Sequence, residues 1–200
     1  MPSLRITRCL ITVQNYSAEN NVLRRIPILG GILGGIVDVL SGFGNVVRGN
    51  FSTGLSQVAN GLGRTMGHVW SFPNTLVGLT FGVLGMMFGA HPSWDRHIAI
   101  LRFTNMPEWL LPTALSLGDV NVFGPQTSPD RENYFGVTLG KEESLHSAQS
   151  RILGPLYLPA HLIGGFRSWM TSPENARYPQ FGVWHRNNFM ENGPMTGKVF

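Results

Sequence analysis

Ile26 to Val47 read IPILGGILGGIVDVLSGFGNVV, and Val69 to Ala90 read VWSFPNTLVGLTFGVLGMMFGA. Each stretch has 22 residues, about 33 Å of helix at 1.5 Å per residue, against a bilayer core of roughly 30 Å. From Ile26 to Trp94 the only charged residues are Asp38, Arg48 and Arg64. A helix on the surface of a soluble domain needs a polar stripe. The region therefore reads as helical and made to embed in something apolar.

Glycine spacing sharpens that reading. Gly30 and Gly34 are four apart, as are Gly31 and Gly35, Gly78 and Gly82, and Gly85 and Gly89. Small residues at this spacing let helix backbones approach closely, so these eight are the expected membrane-helix packing positions. Asp38, in mid-segment, is the expected pore-facing group, because an intramembrane acid usually faces a cavity or a partner. Asn50 to Gly63 reads as an amphipathic helical connector, capped by Asn50 and ended by Gly61 and Gly63. Pro73-Asn74 is expected to delay the second apolar helix, leaving about 16 strongly apolar residues, short for a span and also compatible with a buried core helix. Trp70 and Trp94 flank this segment, as interface aromatics do.

Three regions follow: a polar N-terminal arm at 1–25, the glycine-rich apolar helical region at 26–94, and an α+β region at 95–200. In the last, Ile98 to Phe103 is strand-like. So are Ala114 to Leu117 and Val120 to Phe123, joined at Gly118-Asp119, a hairpin signal. Val137 to Leu153 reads as a helix ended by Gly154-Pro155. The fold class is α+β.

The balance of the chain limits its partners. Charged residues are 13% of 200, against about 25% in ordinary soluble domains. The net charge of +4 is spread without a basic run, and the tryptophans do not interleave with cations, so nucleic acid is not the expected partner. Cys9 is the only cysteine; it permits no intrachain disulfide and reads as a small buried hydrophobe. No short apolar core with a cleavage site follows the basic N-terminus, so export is expected to proceed without a signal peptide.

The helix at 137–153 carries the chemistry. A zinc-peptidase helix presents two histidines four apart, with a glutamate beside the first as general base. Here Glu142 takes the first ligand position, Glu143 the general-base position and His146 the second ligand position. Glu142 and His146 share a face, with Gln149 one turn further. Carboxylate ligates zinc, and Glu191 or His185 in the tail is the expected third ligand. The same spacing also suits a solvated Glu–His pair near a helix start. His161, before an apolar run, reads as packed, as do Trp169 and Trp184.

Val137 to Gly165 (VTLGKEESLHSAQSRILGPLYLPAHLIGG) resembles a recurring bacterial segment in which an HExxH-type helix ending in glutamine runs into a Leu-Gly-Pro-Leu-Tyr-Leu-Pro turn. That segment occurs among proteins related to secreted polymorphic toxins. His97 to Gly124 resembles the strands that precede it. Glu142 stands where that segment has a histidine. The apolar half is similar in composition to the glycine-zipper segments of type VI secretion effectors that depolarise a target inner membrane. The two resemblances imply interbacterial antagonism. The partners would be the target-cell membrane, a secretion carrier and a cognate immunity protein.

Two functions from different classes are thus expected. One is a secreted effector that inserts glycine-zipper helices into a target bacterial inner membrane and dissipates ion gradients, with no cofactor. The other is a small zinc-dependent hydrolase with Glu142, His146 and Glu191 as ligands and Glu143 as base. A non-catalytic module whose glycines serve only tight soluble packing is a third. No nucleophile elbow, Walker A loop or dinucleotide fingerprint is present.

Overall fold

The computed structural model of the chain describes residues 27–95, 99–111, 113–171, 185 and 187–200. Cys9, the polar arm at 1–25 and Trp184 lie outside the described residues. The fold is α+β. It comprises α1 (Pro27–Val47), α2 (Phe51–Met86), β1 (His91–Asp95), β2 (Ile100–Thr104), β3 (Ala114–Leu117), β4 (Val120–Phe123), α3 (Leu139–Leu153), a 3-10 turn (Gly154–Leu156), α4 (Tyr157–Thr171) and the short α5 (Asn192–Met195).

The first apolar segment forms α1 as expected. Downstream of it, connector and second segment are one continuous helix of 36 residues. Gly61 does not end it. A side chain there would strike the Gly35 carbonyl of α1, so this glycine serves the helix–helix seam. Asn50 makes no side-chain capping bond. Pro73 sits inside α2, where proline removes a backbone hydrogen bond. The helix persists there because side chains on both sides of Pro73 are clamped to the C-terminal half. His68 Nδ1 lies 2.7 Å from Asp119 Oδ2, and Asn74 Nδ2 donates to Ser150 Oγ at 2.9 Å and to the Gly154 carbonyl at 2.7 Å.

Helices α1 and α2 form an antiparallel hairpin whose tip is Arg48-Gly49-Asn50. Added side chains at Gly31 and Gly35 would overlap His68 and Thr65, and Gly42 and Gly54 oppose each other, a Cβ at either lying 2.6 Å from the other's carbonyl. Gly34 has only Arg64 nearby, at 3.4 Å, and Gly30 is half-buried. The second set of glycines has a different use. Gly78, Gly82 and Gly85 face Leu117 and Val120, Phe103, and Met106 respectively. They let α2 lie close on the sheet and core of its own chain, not on another membrane helix. Gly89 lies beyond the helix, in a turn with φ +96° and open space around it. Asp38 pairs with Arg64 at 2.9 Å; in the single chain its partner is this cation.

The sheet has order β1-β2-β4-β3. β2 and β4 run parallel, and the other neighbours antiparallel. The β3–β4 turn forms at Gly118-Asp119 as read from sequence, with Gly118 at φ +68°. β2 starts at Ile100, while Ile98 lies outside the described residues. β1 was not expected; it places Trp94 opposite Leu101 instead of at a helix end. β4 is buried along its length. The core gathers Ala90, Phe103, Met106, Leu111, Val120 and Val122, with Leu79 and Phe81 of α2 against it. The C-terminal part of α2 thus shares one core with the strands, so the division near residue 95 cuts through a single packed body.

From His68 back to Phe51, α2 projects about 27 Å at 1.5 Å per residue, accompanied by α1. Large apolar side chains of both helices are exposed, among them Ile36, Leu40 and Phe43 of α1 and Leu55, Leu62 and Met66 of α2. Both helices are long and apolar enough to cross a membrane, and the apolar window is only 17% buried in α1 and 33% in α2. A core helix of a soluble protein would be mostly covered.

Candidate metal centre

Thr138 starts α3; its side chain accepts a hydrogen bond from the Lys141 amide, satisfying one free donor of the first turn. The helix then sends residues to two sides. Glu143, Ser147 and Ser150 are buried toward the strands and α2, and Glu142 and His146 face the tail. Gly154, at φ +55°, turns the chain into α4. That reversal brings His161 back over His146, with ring centroids 5.0 Å apart. Gly164 of α4 makes room for Asn188, whose side chain occupies the space a Cβ would fill. Asn188 then folds its own segment, accepting from the Met190 amide at 3.0 Å, and so delivers Glu191.

The result is a cavity of about 290 Å³ whose polar wall holds Glu142, Glu143, His146, His161, His185 and Glu191. Among the described residues, His146, His161 and Glu191 form a group whose ligand atoms lie within 4.8 Å of one another. Glu191 Oε2 accepts from His146 Nε2 at 3.0 Å. Its Oε1 is 3.6 Å from His161 Nδ1 and 3.9 Å from His185 Nε2. Gln149 Nε2 donates to the Met190 and Val199 carbonyls at 2.9 and 2.6 Å. Its Oε1 therefore turns to His146 Nδ1, at 2.9 Å, and accepts a hydrogen bond from it. This fixes the imidazole so that Nε2 points into the group, as an outer partner does for a metal-binding histidine.

Of the residues expected from sequence, the structure brings His146 and Glu191 into contact. It places Glu142 on the same cavity wall, where its carboxylate accepts from Asn133 Nδ2 at 2.8 Å; it is not one of the close trio. Glu143 is buried and accepts from Ser116 Oγ at 2.7 Å. His161 takes the third position that the sequence reading gave to Glu142. It was read as a packed residue because apolar neighbours surround it. The signal was the Gly154-Pro155 reversal, which folds the helix carrying His161 onto the helix carrying His146.

Electrostatics set the proton inventory. Burial pushes Glu143 up to about 7, against the opposing influences of His146 and Ser116. Burial also raises Glu142. Burial and then the charge of His146 lower His161 to about 4. For His146 burial acts downward, but the hydrogen bond and charge of Glu191 override it and hold the imidazole at about 9. For Glu191 burial acts upward and is overridden by the same bond and the facing histidines, leaving it at about 2.

Two imidazoles and one carboxylate, with space for a fourth ligand, suit zinc. The His161 nitrogen facing Glu191 is Nδ1, while its Nε2 is buried with no hydrogen-bond partner among the described residues, a costly state for a polar atom. The pH dependence follows. His146 is raised from 6.5 to about 9, so in the metal-free chain its stabilising contribution is complete below pH 6.5 and disappears as pH rises through about 9. Glu191 is lowered from 4.5 to about 2, so its contribution is present above pH 4.5 and lost as pH falls through about 2. A zinc ion held by His146 would have to displace its proton. Zinc affinity at such a site, measured by competition with a chelator, would then rise about tenfold per pH unit from 7 toward 9.

No family model, curated protein or solved structure matches the chain.

Proposed function

We propose that the chain is a membrane-anchored, zinc-dependent hydrolase acting on an ester or amide. The observation that carries this reading is the convergence of His146, His161 and Glu191 beside the buried Glu143 in one cavity. When bound, zinc would acidify a water and polarise the carbonyl under attack. Glu143, with a midpoint near neutrality, is suited to accept a proton from that water and return it to the leaving group. Ser116 fixes its Oε2, and Gln149 fixes the imidazole of His146. The helical hairpin supplies the anchor.

The test couples elemental analysis with turnover on a panel of ester and amide substrates. Wild-type chain should carry about one zinc. Glu143→Gln should keep the metal and lose about 10²–10⁴-fold in rate. Less than about a tenth of an equivalent of zinc in the wild type, after supplementation, ends this reading, since a catalytic site of this kind needs its metal.

The exposed apolar faces of the hairpin favour a second reading, the secreted effector that depolarises a target inner membrane, with a carrier and an immunity protein as partners. On that reading Asp38 must leave Arg64 to face a pore. Purified chain should then dissipate a potassium diffusion potential across liposomes. Gly54→Leu, which would force apart the seam at Gly42, should abolish that leak. Liposomes that hold their potential at every protein concentration would exclude it.

A further inference from the structure

The outer face of α4 is apolar, and none of the described residues covers it. Leu162, Ile163, Phe166, Trp169 and Met170 are each half exposed or more. Their spacing of one, four, seven and eight residues places them on one side of the helix, opposite the buried Gly164, Gly165 and Ser168. The only charged residue of α4 is Arg167, a cation suited to anionic headgroups. Leu162 belongs to this face and also lines the metal cavity, so the cavity mouth lies at its border.

This face continues the surface of the hairpin. Met66 and Trp70 at the hairpin's base are exposed, as are Ile152 and Leu156, which flank Gly154 in the chain leading into α4. Trp70 fits directly over Gly154, where a side chain would overlap its indole. With the hairpin inserted to its base, this surface arrives at the membrane–water interface, where tryptophan is favoured.

We propose that α4 rests on the bilayer and that the cavity takes its substrate from it: the ester or amide bond of an acylated lipid. This rests on the metal-site reading above. The lipid is favoured over a membrane-borne peptide for two reasons. A cavity of about 290 Å³ equals roughly ten water volumes, room for an ester group and a few methylenes. The neighbouring sheet edge is also engaged, since the Ser116 carbonyl of β3 already accepts from the Tyr157 hydroxyl at 3.2 Å. In the reaction the oxygen of water bonds to the acyl carbon and the acyl carbon–oxygen or carbon–nitrogen bond breaks. The leaving alcohol or amine takes one proton, and the fatty acid is released.

The full chain with Cys9→Ser and a single new cysteine, Ile163→Cys or Leu40→Cys, is labelled with a polarity-sensitive fluorophore. It is mixed with phosphatidylethanolamine–phosphatidylglycerol vesicles carrying brominated acyl chains. Quenching is expected at both positions. A quenched Leu40→Cys label with an unquenched Ile163→Cys label overturns the α4 contact while leaving hairpin insertion intact. In parallel, Phe166→Glu with Trp169→Glu should slow hydrolysis of a fluorogenic phospholipid in these vesicles about tenfold or more, through lost interfacial contact, and leave a soluble short-chain ester unaffected. Equal loss on both substrates, or cleavage of a vesicle-borne transmembrane peptide but of no acyl bond, overturns the lipid assignment. A chain that binds no zinc fails the metal-site reading instead, and the quenching data still report on α4.

Discussion

On the proposed metal site, His161→Ala is expected to abolish zinc binding. Removing an outer partner of a metal ligand typically costs 10–100-fold in affinity, so loss of a ligand should cost about 100-fold or more. Stoichiometry by elemental analysis after gel filtration should fall from about one to near zero, and hydrolysis should fall with it. His146→Ala and Glu191→Ala should behave alike. Glu142→Gln is the informative companion. Its carboxylate is held by Asn133, outside the trio within 4.8 Å, so zinc should be retained. If Glu142→Gln emptied the site while His161→Ala kept the metal, the set expected from sequence, Glu142, His146 and Glu191, would replace His146, His161 and Glu191. Circular dichroism guards against misfolding as the cause.

Asp119→Ala should produce the largest loss of stability. Asp119 is fully buried in the β3–β4 turn. Its carboxylate meets His68 at 2.7 Å and Arg151 Nε at 2.7 Å, with Ser71 Oγ at 3.4 Å. Its amide donates to Thr75 Oγ1 at 3.0 Å. One side chain therefore joins α2, the sheet and α3. Removing one partner of a buried ionic network typically costs about 3–5 kcal/mol, because the groups left behind stay desolvated. For a chain of this length that is about 10 °C in melting temperature. Asp119→Asn keeps an acceptor for one neighbour and should lose less. A melting temperature within a degree or two of wild type for the alanine variant would mean that the junction is held by packing alone.

Local signals in the sequence located β2, β3 and β4, the β3–β4 turn and helix α3, but not β1. Alternating apolar residues around Gly118-Asp119 left little else for that stretch to form, and the Gly154-Pro155 pair marked the end of α3. Helix α2 was legible in composition but not in continuity. Pro73, Gly61 and Gly63 are breakers by local preference; contacts from 44 or more residues away, through Asp119 and Ser150, hold the helix across Pro73, and the seam with α1 holds it at Gly61. The glycines could be counted but not assigned. The same spacing of four serves a helix seam at Gly31 and Gly35 and a helix–sheet contact at Gly78 and Gly82. At the centre, the i,i+4 and i,i+1 relations on α3 exposed Glu142, Glu143 and His146. His161 stayed hidden because ligand partnership between helices depends on how the chain reverses, and spacing within one helix cannot express that.

The tip of the helical hairpin bears on the direction of entry. Arg48 sits at the bend with no acid beside it in sequence, and the Asp38–Arg64 pair leaves the shaft without net charge. Passing such a hairpin through a membrane carries one positive charge from face to face, worth about 2.3 kcal/mol per 100 mV of potential. An energised cell, negative within, draws that cation inward from outside and resists its exit. For a hairpin entering from outside, an energised membrane would help to seat the protein, and a de-energised one would take it up less readily.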